Sequence, residues 1–516
     1  MTVQIQQTVI PYYEDTTVAF YHLCSNRSHT LLLDSAEIQS KNSLKSLIFA
    51  KSAVHIFCDA QQVTFEALTA NGQAVLPQIA QALSQLSPAP ICKFSEKNDR
   101  LQATFPTINQ HLDEDSKLKT STVFDGLRVV SQLFTQSEDA VYLGGLFSYD
   151  LVAHFIPMDG IELKDDGLRC HDYSFYLAEQ LVFVDHKKQQ AVLHTFCFDE
   201  KEQSALAQEA KAFSETLAKY QPCELRLPTQ AASGEVQTNI EDEDFKAIVT
   251  QLKHHLNIGD VFQIVPSRRF SLPCPNILAA YRQLKINNPS PYMFLMQGEN
   301  FTLFGASPES ALKYTSQSRQ LEIYPIAGSR PRGFDAHGNI DPELDTRLEL
   351  ELRLDQKELA EHLMLVDLAR NDVARVSEAG TRRVVDLMQI DRYSHIMHLV
   401  SRVVGTLRHD LDALHAYQAC MNMGTLTGAP KIKAMQLIYQ VEQQKRHSYG
   451  GAVGYLTSKG DLDTCIVIRS AFVQNGMAYI QAGCGEVLDS DPQSEADETR
   501  HKARAVLKAI AEVNTK

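Results

Sequence analysis

Two short stretches carry glutamates three residues apart. Glu358 and Glu361 stand in Asp355-Gln-Lys-Glu-Leu-Ala-Glu-His, and Glu495 and Glu498 in Ser494-Glu-Ala-Asp-Glu-Thr-Arg. On a helix, positions i and i+3 share a face, with Cβ atoms about 5–6 Å apart. Both surroundings read as helical. Leu359, Leu363 and Val366 make an apolar stripe in the first, and Ala503, Val506, Leu507 and Ile510 make one in the second. Two such faces turned together would collect four carboxylates. Like charges that close need a cation, and an all-oxygen donor set suits magnesium. Each pair also has a plainer reading. Glu358 can close a capping box with Asp355, and Ser494 can cap the second helix with solvated acids behind it.

The elements that must position these acids read as mixed α and β. Val18-Ala-Phe-Tyr-His-Leu, Ala53-Val-His-Ile-Phe, Ala140-Val-Tyr-Leu-Gly-Gly-Leu-Phe and Gln180-Leu-Val-Phe-Val are β-rich runs in the first part. Residues 200–220 read as a surface helix. The next stretch, rich in Pro, Gly, Ser and Thr, lacks periodicity and reads as a linker over 221–240. This divides the chain into an N-terminal α/β part, 1–220, and a second part, 241–516. In the latter, Val261–Val265, Leu321–Ile326, Thr464–Arg469 and Met477–Ala482 are strand-like. Asp355–Asn371, Leu411–Tyr417 and Lys431–Tyr439 are helix-like. Strands grouped with inserted helices predict an α+β fold rather than a regular βαβ alternation.

The chain has 516 residues, 44% hydrophobic and 22% charged, which excludes disordered, collagenous and coiled-coil classes. Net charge is -14, from 63 acidic and 49 basic residues, so nucleic acid and anionic lipid are poor bulk partners. A small anion held by a few local cations remains compatible. No apolar run is long enough for a membrane span, and the N-terminus lacks the pattern of a secretory signal. Ten cysteines stand singly, without zinc spacing, which predicts free thiols and a cytoplasmic location.

Generic motifs are missing. Gly424-Thr-Leu-Thr-Gly-Ala-Pro-Lys431 resembles a phosphate loop, but Ala429 and Pro430 separate the second Gly from the Lys. Gly483-Cys484-Gly485 is not a nucleophile elbow; Cys484 reads as a small residue in a tight turn.

Five strings in the second part nevertheless occur in an informative order. They are Pro325-Ile-Ala-Gly-Ser-Arg-Pro-Arg-Gly333, Asp367-Leu-Ala-Arg-Asn-Asp372, Gly424–Lys431, Tyr449-Gly-Gly-Ala-Val-Gly-Tyr455 and Asp489–Glu498. With them the chain resembles the anthranilate synthase large subunits, a family of chorismate-utilising enzymes. The resemblance is most specific over about 240–510, and looser at Leu31-Leu-Leu-Asp-Ser-Ala-Glu-Ile-Gln-Ser40. It implies an α/β sandwich of large, mainly antiparallel sheets flanked by helices, and a lyase that turns chorismate and ammonia into anthranilate and pyruvate.

By the same resemblance, Glu361 and Glu498 ligate Mg2+, with Glu358 and Glu495 supporting through water. Glu309 is matched to proton transfer at the departing C4 oxygen, Thr425 is a hydroxyl donor near it, and His398 assists that departure or the later elimination. Arg469 is matched to a substrate carboxylate. Gly328, Ser329, Tyr449, Gly483, Cys484 and Gly485 are matched to the remaining substrate contacts. Two positions depart from the family pattern: Ser329 stands where Thr is usual and Cys484 where Ala is usual. Ser329 keeps a hydroxyl, and Cys484 can still offer its backbone amide.

Two further positions discriminate among relatives. Water-activating isochorismate and salicylate synthases carry Lys where this chain has Gln263. Aminodeoxychorismate synthases carry a nucleophilic Lys where it has Ala327. Both absences point to direct attack by ammonia. The alternatives are an aminodeoxychorismate synthase that tolerates Ala327 and a decayed tryptophan-sensing subunit. The resemblance further implies a glutamine amidotransferase partner in a heterotetramer. It also implies feedback inhibition by L-tryptophan at Ser40, Pro291, Tyr292 and Met293.

Overall fold

The computed structural model describes all residues except 1–2, 25–26, 36–44, 110, 158–159, 220–226, 228, 394–395 and 516. Part of the expected linker, 221–226 and 228, and the expected effector residue Ser40 therefore lie outside the described residues.

The fold is built on antiparallel strands in two large sheets packed face to face, with helices outside. Two long strands, Lys45–Asp59 and Tyr173–Asp185, pair with each other and run through both sheets. Register shifts between Phe49 and Val54 bend the first of them, as β-bulges do. Before the bend it pairs with Thr30–Asp34, which in turn pairs with Tyr292–Gln297 and leads on to Thr302–Ser307, Ser470–Gln474, Met477–Gly483 and Ser267–Pro273. On the other side Tyr173–Asp185 pairs with Tyr142–Phe147, followed by Ala452–Thr457, Leu462–Ile466, Ser310–Thr315, Gln320–Ile323 and Ile396–Thr406. Strands from both parts of the chain thus share each sheet.

Side chains alternate across a strand, and both faces of these strands are covered, so the runs are almost wholly apolar. Leu31, Phe49, Phe294 and Met296 belong to the core between the sheets. Their neighbours Leu32, Ile48, Met293 and Leu295 belong to a second core under helices. Gly144 lies between the sheets; a Cβ there would stand 2.4 Å from the Phe49 ring and 2.7 Å from Leu31.

Most of the expected elements form. Gln203–Ala218, Gln356–Val376, Ala413–Cys420, Lys431–Glu442 and Pro492–Asn514 are helices. The run at Val18 does not form a strand. It lies in a helix, Thr16–Cys24, whose first turn is capped where Thr17 N–H donates to Asp15 Oδ1 at 3.0 Å. Burial of Val18, Phe20 and Leu23 outweighs the β propensity of the string. The apolar stripe at Gln356–Val376 is also shifted: Leu363 is 46% exposed, and Leu365, Val366, Ala369 and Val373 face the core. The nine described cysteines are free, and Cys223 lies outside the described residues. Among the described residues, no helix is long and apolar enough to cross a membrane.

Candidate active site

The strands cross from one sheet to the other at two facing corners. One corner, between Thr302–Ser307 and Ser310–Thr315, carries Glu309; the other, between Leu462–Ile466 and Ser470–Gln474, carries Arg469. The corners are bonded to each other. Ile466 N–H donates to the Glu309 carbonyl at 3.0 Å, and Ala306 N–H donates to the Arg469 carbonyl at 3.1 Å. Arg469 takes φ 49°, a left-handed turn uncommon for a residue with a side chain.

Glu309 is buried, and burial lifts its carboxyl pKa to about 8. A hydrogen bond from Thr425 Oγ1 to Glu309 Oε1, 3.2 Å, and the charges of Arg469 and Lys502 oppose that rise without cancelling it. Glu309 is therefore an acid at neutral pH. His398 lies on Ile396–Thr406, opposite Ser329 on Ile326–Pro331. Its Nδ1 is 2.9 Å from Ser329 Oγ. Burial and the Arg469 charge push its pKa down to about 4, so the imidazole is neutral. Arg469 in turn senses Tyr449, Glu498 and Glu309. Glu309, His398 and Arg469 thus lie within electrostatic reach of one another.

The acidic helices behave as their spacing suggests. Asp355 caps the helix Gln356–Val376, accepting from the amides of Lys357 and Glu358. Asp491, not Ser494, caps Pro492–Asn514. Each cap sets a glutamate pair within the first two turns. Glu361 is lifted to about 7, first by burial and then by the charges of Glu358, Glu498 and Glu495. That coupling shows the two pairs converging. Glu361 Oε1 and Glu495 Oε2 are buried without a hydrogen bond; Lys357 Nζ stands 3.8 Å from Glu361 Oε1. Orphaned carboxylate oxygens on converging acids fit a hard divalent cation.

Of the remaining expected contacts, Gly328 and Gly483 lie against groups already described. Gly328, φ 86°, lies over Glu358: a Cβ there would be 3.2 Å from Glu358 Oε2. Gly483 backs onto Tyr449, whose hydroxyl would be 2.9 Å from an added Cβ. Burial raises the Tyr449 phenol well above its usual range, so it stays protonated. Gly485 lies against Gln263, whose Nε2 would be 2.8 Å from a Cβ. Cys484 differs from expectation. Its amide already donates to the Pro266 carbonyl at 3.2 Å, and its side chain is buried with Phe245, Val249 and Ala496. Its thiol donates to the same carbonyl at 4.0 Å, so both its donors are turned to Pro266 and its amide is not free for substrate.

Three residues of this site were not anticipated. Arg330 donates to Glu358 Oε1 at 3.1 Å and to Asp355 Oδ2 at 2.6 Å, fixing the first pair. Lys502 pairs with Glu498 at 2.5 Å and donates to the Gly483 carbonyl at 3.0 Å. Its i+4 spacing from Glu498 was the available signal. Glu486 is fully buried with both carboxylate oxygens unpartnered; nothing in its sequence neighbourhood marks it.

The expected effector residues lie one strand away. Tyr292 and Met293 pair with Ser307 and Ala306. Met293 also pairs with Asp34, and Ser35 Oγ donates to the Pro291 carbonyl at 3.2 Å.

Comparison with known proteins places the chain in a family. The chorismate binding enzyme family model matches residues 57–508. Anthranilate synthase component 1 of Haemophilus influenzae is 68% identical over 506 residues, spanning 98% of this chain and 96% of that protein. Its counterpart from Escherichia coli is 53% identical over 506 residues, spanning 97% and 95%. Among solved structures, anthranilate synthase component I from Streptococcus pneumoniae superposes with a TM-score of 0.67 at 28% identity, over 91% of this chain and 93% of that one. The menaquinone-specific isochorismate synthase of Escherichia coli, TM-score 0.65 at 16% identity over 99% and 94%, shares the fold. The chain belongs to the chorismate binding enzyme family, and within it to the anthranilate synthase component 1 proteins.

Proposed function

We propose that this chain converts chorismate and ammonia to anthranilate, pyruvate and water in the space between Glu309, Arg469 and the two glutamate pairs. The observation that carries the reading is the convergence on Glu361 of charge from Glu358, Glu495 and Glu498, beside an acid that holds its proton at neutral pH.

Chorismate is a dianion, and the Arg469 guanidinium offers a fork for one carboxylate. Hydroxide is a poor leaving group, so the C4 oxygen must take a proton as its bond to carbon breaks. Glu309, oriented by Thr425, supplies it. Ammonia adds at C2. The C2 proton then leaves as the enolpyruvyl group departs as pyruvate and the ring becomes aromatic; neutral His398, held by Ser329, can accept that proton. Glu361 and Glu498 would hold Mg2+, with Glu358 and Glu495 assisting through water; the bound ion would offset the ring carboxylate's charge and withdraw electron density from the ring.

Gln263 and Ala327 bear neither a base for water nor a nucleophile, which supports ammonia as the attacking group. Its relatives are named as a first component, which supports a second one. We assign that role to a glutamine amidotransferase in a heterotetramer, and a regulatory role to L-tryptophan beside Pro291, Tyr292 and Met293. Free thiols support a reducing cytoplasm.

The purified chain, given chorismate, Mg2+ and ammonium, should produce fluorescent anthranilate and equimolar pyruvate. It should be inert with glutamine as the only nitrogen source. A product that retains the enolpyruvyl group, or glutamine-dependent turnover by this chain alone, would overturn the reading.

A further inference from the structure

A second cluster of chemically capable side chains lies outside the space assigned to the reaction. Cys58 stands at the end of the strand Lys45–Asp59, His154 closes the short helix Tyr149–His154, and Asp172 precedes the strand Tyr173–Asp185. One potential ligand atom from each lies within 4.8 Å of the other two. The tip of a hairpin wraps them. Ala60 N–H donates to Asp172 Oδ2 at 2.9 Å, Cys58 Sγ donates to the Ala60 carbonyl at 3.2 Å, and Asp172 N–H donates to the Cys58 carbonyl at 2.8 Å. His154 Nε2 is 2.8 Å from Asp172 Oδ2, and its Nδ1 is 3.3 Å from Gln61 Nε2.

His154 and Asp172 line a cavity of about 320 Å³. Two charged neighbours share the wall. Asp150 is committed to the Tyr439 hydroxyl at 2.6 Å and the His447 amide at 2.7 Å. Lys445 is the cation of the lining. The cluster therefore has a buried thiol, an imidazole and a carboxylate on one side and open space on the other.

We propose that Cys58, His154 and Asp172 form a binding site for one Zn2+ ion, with a fourth coordination position open to the cavity. A sulfur, a nitrogen and an oxygen donor leaving one vacant position suit zinc better than magnesium or calcium. Bonds of about 2.0–2.3 Å put tetrahedral ligand atoms about 3.5 Å apart, so binding needs His154 Nε2 and Asp172 Oδ2, now 2.8 Å apart, to separate slightly while the Cys58 thiol draws in beside them. It also releases the thiol proton, which burial and the nearby Asp172 and Asp59 otherwise hold firmly in place. The ion would join the hairpin tip to the Tyr149–His154 helix. This site is independent of the reaction proposed above.

The test uses the full chain with Mg2+ in excess, so that the glutamate centre does not compete. Zinc retained after dialysis should approach one equivalent per chain, and should fall at least tenfold in Cys58→Ser and in His154→Gln. Co2+ in place of zinc should give a thiolate charge-transfer band that Cys58→Ser abolishes. Both variants should keep ammonium-dependent turnover, which shows that they fold. Equal zinc content in wild type and Cys58→Ser, or a cobalt spectrum without a thiolate band, overturns the proposal.

Discussion

Thr425 Oγ1 donates a 3.2 Å hydrogen bond to Glu309 Oε1, and so touches the carboxyl group carried by the corner that is bonded to the corner of Arg469. The bond favours the charged form of Glu309, while burial favours the neutral one. Burial dominates, and the acid form persists to about pH 8.

Turnover should therefore fall on the alkaline side as Glu309 loses its proton near pH 8. Thr425→Val removes the hydrogen bond that lowers the pKa. Its alkaline limb should move to higher pH, while maximal kcat drops about tenfold, the scale of one lost orienting hydrogen bond. A kcat profile from pH 6 to 10 for both proteins decides it. An unmoved limb assigns the ionisation to another group.

Magnesium affinity should depend on pH through Glu361, which holds a proton up to about pH 7. A cation must displace that proton. Below pH 7 the apparent affinity should weaken by about tenfold per pH unit, and above it the affinity should level off. Calorimetric titration with Mg2+ at pH 6, 7 and 8 measures the slope. Glu361→Gln should abolish the pH dependence and lower turnover more than a hundredfold.

Glu486 should cost the protein stability. Its pKa is raised to about 9, by burial first and by the Glu495 charge second. The unfolded chain gives up that proton near pH 4.3, so stability is lost as pH rises from there towards 9. Glu486→Gln should raise unfolding free energy at pH 8 by about 1–3 kcal/mol and have little effect at pH 4. Urea unfolding at the two pH values tests the sign.

Ser40→Arg should relieve inhibition by L-tryptophan while leaving uninhibited turnover within about twofold, as expected of a residue assigned to the effector and not to the reaction. Inhibition curves for the two proteins, with and without the effector, check both halves of the statement.

Much of this site was visible in the chain itself, because its central logic is local. Glu358 with Glu361 and Glu495 with Glu498 are i, i+3 pairs, and a helix places such residues on one face whatever surrounds it. Arg330 and Glu486 owe their roles to segments remote in sequence, so spacing does not reveal them. Lys502 shows its pairing with Glu498 but not its hold on Gly483. The same distinction bears on the run at Val18, where propensity favours a strand and the burial that makes it a helix is a tertiary fact, although the Asp15 cap two residues before Thr17 is a local signal. Cys484 is expected from the sequence to offer its backbone amide to substrate. Its amide turned out to be engaged by Pro266, a partner more than two hundred positions away.

The pairing of Tyr292 with Ser307 has a mechanical consequence. Ser307 Oγ accepts from the Glu309 amide at 3.3 Å and donates to the Glu309 carbonyl at 3.2 Å. A molecule wedged against Tyr292 would therefore press on the strand end that holds the Glu309 backbone, two residues beyond Ser307.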